Sequence, residues 1–307
     1  MTRPITAALC LLLAACSGGG QGPDKAPDLA PDGPRVDAAL PDSKATPDKP
    51  VFPADPYKGL KKVNSKPAIY RGKSTFGDGK GELQVWVPPG YTSAKAWPLL
   101  VFLHGGMKET GRAESRGSGL DSLRHMVGKG RSDRFIWLAG VLRTSGSYHG
   151  WVVKQNTIDL VDAIREVSRR FHVDQRRVYL TGMSMGAGGT ASISWMLPRA
   201  FAAFGPVSGY YWNSWCAVPS LKGVNYRVVH GDKDKYPEEP YDRLKLAQTF
   251  AKLCKDNGAS VQWVLLPGVG HDYPEAEVPK MNDFLLKHAN KAPTDWVKAR
   301  QAVQTFK

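Results

Sequence analysis

The stretch Val178-Tyr179-Leu180-Thr181-Gly182-Met183-Ser184-Met185-Gly186-Ala187-Gly188-Gly189 constrains this chain more than any other. A short apolar run meets Gly-x-Ser-x-Gly, and Met185 to Met196 continue with helical character. Strand, sharp turn and helix in that order put the serine at the tip of the turn. Glycine is expected at 182 and 186 because a side chain at either would collide with neighbouring backbone. The hydroxyl of Ser184 then stands at a helix N-terminus, where the dipole favours developing negative charge. A Gly-rich turn without chemistry has the same letters. The apolar strand before it and the small residues after it point to a nucleophile.

The rest of the chain supplies the frame such a turn requires. Short apolar runs alternate with longer helical patterns, which predicts a mostly parallel sheet covered by helices. Leu83 to Val87 alternates and stops at Pro88-Pro89-Gly90, so it reads as an early edge strand. Pro98 to Leu103 is continuously apolar, as a buried central strand is, and Phe135 to Ala139 is another. Ile158, Val161, Ile164, Val167 and Phe171 recur at helical spacing and predict a helix over about 157–171. Further strands are expected at Phe201–Pro206, Tyr226–His230 and Val261–Leu266, with a helix carrying Leu244, Ala247, Phe250 and Ala251 between the last two. No repeat and no membrane-spanning segment is evident within this part of the chain.

A serine hydroxyl needs a base within hydrogen-bond reach. When the nucleophile sits on such a turn, the chain order is serine, acid, histidine. Three histidines follow Ser184: His230, His271 and His288. His271 lies in a glycine-containing loop directly after the Val261–Leu266 strand and is the candidate base. His288 falls near the end of a helical pattern, and His230 reads as a residue bracing a loop. The loop after Tyr226–His230 offers two carboxylates, Asp232 and Asp234. Upstream, His104-Gly105-Gly106 ends the central strand and exposes backbone N–H groups. The amide of Gly106, with Met107 as a substitute, and the amide of Met185 are the candidate oxyanion donors.

These elements resemble exported esterases related to polyhydroxybutyrate depolymerases and to feruloyl or acetylxylan esterases. The resemblance spans about residues 65–290 and is closest at Gly182–Gly189 and at Phe201-Ala202-Ala203-Phe204-Gly205-Pro206-Val207-Ser208-Gly209. Ala187 departs from it, standing where that group often has glycine. It implies an α/β-hydrolase fold, no cofactor, and acyl-enzyme chemistry on carboxylic esters, from small molecules to polysaccharide-linked acyl groups or polyesters. In the His-Gly-x-x-Asp arrangement of that group the acid is Asp234, with Asp232 as the fallback. The aromatic run Tyr210-Tyr211-Trp212-Asn213-Ser214-Trp215 is expected beside the substrate, either as a stacking surface of Tyr211, Trp212 and Trp215 or as a plug under a loop. Trp151, in Tyr148-His149-Gly150-Trp151, is a candidate second wall.

The ends and the charge bound the setting. Arg3 followed by apolar Ala7–Ala15 is too short to span a bilayer and reads as a signal peptide over residues 1–15. Leu13-Ala14-Ala15-Cys16 resembles the lipobox of bacterial lipoproteins, which implies lipid on Cys16, and Ser17 after it implies the outer membrane or cell surface. Residues 16–55 repeat Pro-Asp pairs and read as a semi-extended tether, leaving 56–307 as one catalytic domain. Removing Arg3 and the tether's four basic and seven acidic residues from 42 and 28 leaves 37 basic against 21 acidic, near +16. These charges are scattered singly with no nucleic-acid motif, so nucleic acid is not an expected partner. No His-x-x-x-His or paired-cysteine spacing suggests a metal. Cys216 and Cys254 are either a disulfide, as export favours, or two separate buried thiols. The same triad serves serine peptidases, and a binding lipoprotein on an inactive scaffold is a third reading. Oligomeric state is not legible.

Overall fold

Alternation along the apolar runs builds the frame, because successive side chains on a strand face opposite sides. The computed structural model describes residues 51–106, 112–128, 133–143, 150–209, 211, 218–235 and 242–306. A compact unit runs from Phe52 to Lys307. It begins a few residues before the expected boundary at 56, with the Phe52 ring on His172 and the Pro56 carbonyl accepting from Arg170.

Among the described residues, nine strands form one sheet: β1 Lys61–Asn64, β2 Ile69–Lys73, β3 Glu82–Trp86, β4 Trp97–Leu103, β5 Ile136–Gly140, β6 Val173–Met183, β7 Ala203–Val207, β8 Asn225–Gly231 and β9 Ser260–Leu266. Their order is β1-β2-β3-β5-β4-β6-β7-β8-β9. The pairs from β5 through β9 are parallel, while β1, β2 and β3 add an antiparallel flank. The expected edge strand around Leu83–Val87 is therefore interior. Glu82–Trp86 of β3 are all buried between β2 and β5, and two strands that alternation did not single out lie outside it.

The helices are α1 Arg112–Val127, α2 Lys154–Arg170, α3 Met185–Met196, α4 Arg243–Asp256, α5 Glu277–Leu286 and α6 Trp296–Thr305, with a 3₁₀ turn at Gly150–Val152. Strand alternation divides the core in two. Leu99, Val101 and Leu103 of β4 face one side with apolar residues of α2, α3, α4 and α6. Leu100 and Phe102 face the other with Leu123 and Met126 of α1 and with Val278, Met281 and Leu285 of α5. No helix of the described residues is long and apolar enough to cross a membrane.

A helix covering a sheet buries one face, and α2 does so at the cost of burying acids. Asp159, Asp162 and Glu166 are each 3 % exposed or less. Each is met by arginine: Asp159 by Arg143, Asp162 by Arg165 and Arg300, and Glu166 by Arg169 and Arg170. Burial alone would raise the Glu166 carboxyl. Hydrogen bonds from Arg169, Thr75 and Arg170 overcome that and hold it down to about 2. Arg300 ties α2 to α6 and Arg143 ties it to the segment after β5, while the other three pairs lie within α2, so its buried charges are matched.

Candidate active site

The turn after β6 is strained as the sequence requires. Ser184 has φ 58° and ψ −120°, a region that costs a non-glycine residue about 1–3 kcal/mol. Neighbouring backbone holds it there. A Cβ at Gly186 would stand 1.9 Å from the Leu103 carbonyl oxygen, and one at Gly182 would stand 2.5 Å from that of Gly186. The Ser184 N–H donates to the Val207 carbonyl at the end of β7 (3.1 Å). Its own carbonyl accepts from Ala187 and Gly188 as α3 begins. The serine is half-buried.

Loops from β8 and β9 meet over it. Strand pairing carries His230 opposite Leu265 and Gly231 opposite Leu266. Backbone hydrogen bonds continue that register past the strands, Asp232 N–H to the Leu266 carbonyl (3.1 Å) and Lys233 N–H to the Val269 carbonyl (2.9 Å). The approach is closest at Gly231, where a Cβ would stand 2.2 Å from the Val269 oxygen. Locking the two loops aligns their side chains. His271 Nδ1 lies 3.0 and 3.1 Å from the two Asp234 oxygens, and His271 Nε2 lies 2.8 Å from Ser184 Oγ. The Asp234 carboxylate is buried and His271 half-buried. Asp232 is turned away and accepts the Gly268 N–H at 2.7 Å, which braces the histidine loop.

Three residues around this line were not flagged by the sequence. Arg243, the first residue of α4, places Nη1 3.1 Å from His271 Nδ1 and 3.6 Å from Asp234 Oδ1. An arginine N–H can only donate. With the ring proton on Nδ1 directed at Asp234, Arg243 faces the ring as a second donor and meets the Asp234 carboxylate as an ion pair. Ser208 sits at φ 45° and donates its hydroxyl to the Asp272 carbonyl (2.8 Å), tying the histidine loop to the end of β7. Ser115, on α1, contacts His104 (2.7 Å). Chain separation hides all three, and only the helix N-cap at Asp242 marks where Arg243 begins.

His230 is fully buried, and neither ring nitrogen has a hydrogen-bond partner among the described residues; Nε2 is 3.5 Å from Asp234 Oδ2. Burial lowers its pKa, and the nearby Asp234 charge opposes that shift only in part. His288 lies at the other end of the sheet, where its carbonyl accepts the Tyr179 hydroxyl. Gly105 and Gly106 flank the serine on the β4 side. A Cβ at Gly105 would lie 3.4 Å from that of Ser184, and one at Gly106 would meet the Met185 side chain at 3.1 Å.

Two expected substrate walls are not walls. Trp151 is buried under α3, donating its indole N–H to the His104 carbonyl (3.0 Å), with Gly189 of the helix against its Cβ. Tyr211 is buried and stacks on Phe250 with centroids 4.6 Å apart. Both rings were drawn inward because each covers apolar core. Trp212, Trp215, Met107, Cys16 and Cys216 lie outside the described residues. Cys254, the other half of the expected bridge, is a buried free cysteine whose thiol burial pushes up to about 12. Among the described residues, no group of three or more His, Cys, Asp or Glu could hold a metal ion. A groove of about 400 Å³ beside Lys95, Trp97, Arg134 and Arg177 lies at the start of β4, the end of that strand remote from His104. It is outside this constellation.

Residues 142–233 match the family model described as esterase PHB depolymerase, a span that contains Ser184 and stops one residue before Asp234. A search of curated proteins finds no match. Among solved structures, a ferulic acid esterase superposes with a TM-score of 0.52 at 18% identity, over 71% of this chain and 97% of that one. A ferulic acid esterase from Anaeromyces mucronatus, solved with ferulic acid, gives 0.50 at 12% identity over 71% and 88%. A putative dipeptidyl aminopeptidase IV from Bacteroides ovatus gives 0.52 at 17% identity over 76% of this chain but 37% of its own. The strand order and these superpositions give the chain the α/β-hydrolase fold, and over residues 142–233 it is similar to the esterase PHB depolymerase family.

Proposed function

We propose that this protein is a serine hydrolase of carboxylic esters that works through an acyl-enzyme intermediate. The observation that carries the reading is the continuous hydrogen-bonded line from Asp234 through His271 to Ser184, at the tip of a strained turn. Asp234 accepts the Nδ1–H of His271, which leaves Nε2 free to take the Ser184 proton. Oγ then attacks the ester carbonyl. The negative charge that develops on the carbonyl oxygen is held by the amides of Gly106 and Met185. His271 passes its proton to the leaving alcohol, and water repeats the sequence to release the acid.

Esters rather than peptides are favoured by the match of residues 142–233 to an esterase family. Feruloyl or other acyl groups carried on polysaccharide, and polyesters, are the substrate classes that the sequence resemblance and the ferulic acid esterase neighbours suggest. Turnover of a panel of short-chain, feruloyl, acetylated-xylan and polyhydroxybutyrate esters, with dipeptide amides alongside and Ser184→Ala as control, tests this. Serine-dependent ester cleavage is expected, and cleavage of amides alone refutes it. The Leu13-Ala14-Ala15-Cys16 sequence supports the further proposal of export and anchoring through lipid on Cys16. Radiolabelled palmitate should enter the wild type and not Cys16→Ser; equal label in both rejects the anchor.

A further inference from the structure

On the β4 side of Ser184 lies a chain of buried hydrogen bonds that the reaction above does not use. Ser115 Oγ is 2.7 Å from the Leu142 backbone N–H and 2.7 Å from His104 Nε2, and His104 Nδ1 is 2.7 Å from the Gly105 carbonyl oxygen. Both side chains are buried, at 0 % and 1 % exposed. The directions of these bonds are fixed by which atoms hold hydrogen. The Gly105 carbonyl can only accept, so His104 must carry its proton on Nδ1. Burial drives the imidazole down to about 4, with the Gly105 hydrogen bond opposing in part, so the ring is neutral and Nε2 accepts. Ser115 must therefore donate to Nε2 while accepting from Leu142. One order runs through the chain: Leu142 N–H to Ser115, Ser115 O–H to His104, His104 N–H to Gly105.

The carbonyl at the end of that chain belongs to the peptide whose N–H is that of Gly106. In a trans peptide the two groups point opposite ways, so a carbonyl tied toward His104 turns the Gly106 N–H the other way. The preceding carbonyl, that of His104 itself, is tied by the Trp151 indole (3.0 Å), whose ring meets the imidazole edge-on. Two successive peptides are thus clamped by buried side chains. A carbonyl that accepts a short hydrogen bond also makes the N–H of its own peptide a stronger donor.

We propose that His104 is a positioning residue for the reaction, fixing and polarising the Gly105–Gly106 peptide as an oxyanion donor, with Ser115 holding the ring in place by donating to its Nε2. The proposal rests on the reading of Gly106 as an oxyanion donor given above. His104→Phe keeps a ring against Trp151 and deletes the Nδ1 donor. His104→Asn returns an N–H near that atom's place. Ser115→Ala leaves the ring but removes the hydroxyl that anchors its Nε2.

The measurements are kcat and KM on an activated acetate ester, and the inhibition constant of a boronic acid, which forms a tetrahedral adduct on the serine. Losing an oxyanion donor outright costs about 10²–10³ in kcat, so a misaligned one should cost His104→Phe about 10–100-fold. KM should stay within about threefold, and boronate affinity should fall in parallel with kcat/KM. His104→Asn should recover most of the loss, and Ser115→Ala should lose roughly tenfold. Ser115→Ala also decides the question if His104→Phe does not fold. The proposal is overturned by folded variants that keep wild-type kcat, by losses confined to KM, or by kcat losses with unchanged boronate affinity. An inactive wild type removes the ester-hydrolase reading itself; an active wild type with indifferent variants removes the positioning role alone.

Discussion

The two flanks of Ser184 are built on opposite plans. On the β8–β9 side, ionisable side chains reach the serine hydroxyl, and backbone hydrogen bonds between the loops hold them in line. On the β4 side, backbone reaches the serine, and buried side chains hold that backbone. One flank supplies charge and proton transfer, the other orientation. Damage to the first should abolish turnover while sparing the fold. Damage to the second should weaken turnover and stability together, since its supports are core residues.

The sharpest contrast comes from the serine. Ser184→Gly should lower ester turnover by at least about 10⁴-fold. The same change should raise stability by about 1 kcal/mol, because glycine relieves the positive φ and the hydroxyl caps no helix amide. Denaturant unfolding beside ester kinetics reads both, and a destabilised variant would break the account of strain at the turn.

Next is the choice between two aspartates two residues apart. Asp234→Asn should cost about 10³–10⁴ in kcat, the scale seen when the acid of a serine protease triad becomes an amide. Asp232→Asn should cost less than about tenfold, since that carboxylate meets the Gly268 amide and not the imidazole. Comparable losses would place the acid wrongly.

The β4 flank has its own signature in pH. His104 is pushed down from 6.5 to about 4, chiefly by burial. The unfolded chain therefore takes up a proton near pH 6.5 that the folded protein refuses until about pH 4. Its contribution is full above pH 6.5 and is lost between there and pH 4, at up to about 1.4 kcal/mol per pH unit. Urea unfolding over that range should show His104→Phe with a shallower slope than wild type. Identical slopes would mean that the ring is not held neutral.

Trp151→Phe should have a far smaller effect than loss of the acid at Asp234. It leaves the His104 carbonyl without its indole donor, costing about 1–3 kcal/mol of stability and roughly tenfold in kcat. A variant with wild-type kcat would confine Trp151 to packing.

The same contrast explains what was legible in the sequence. The Ser184 turn, the strands on either side of it and the helix from Met185 were readable because local letters fix them: apolar runs, obligatory glycines and a nearby helix start. His271 and the aspartates were readable by residue type and position after a strand. Ser115, Ser208 and Arg243 were not, because an ordinary serine or arginine acquires its role only when an element far away in the chain arrives beside it. Trp151 and Tyr211 misled for a related reason. An aromatic residue near a site can stack on a ligand or fill core, and only the packing partner, α3 for one and Phe250 for the other, decides. The interior place of Leu83–Val87 was hidden too, since β1 and β2 are short, partly exposed strands with little apolar signal.

The central claim is that the Asp234–His271 pair activates the hydroxyl of Ser184, and stoichiometric reaction with a fluorophosphonate followed by peptide mass spectrometry tests it most directly. The account predicts one adduct per chain, on Ser184, formed at a rate that collapses in His271→Ala. An unlabelled wild type, or label at the same rate with and without the imidazole, would contradict it.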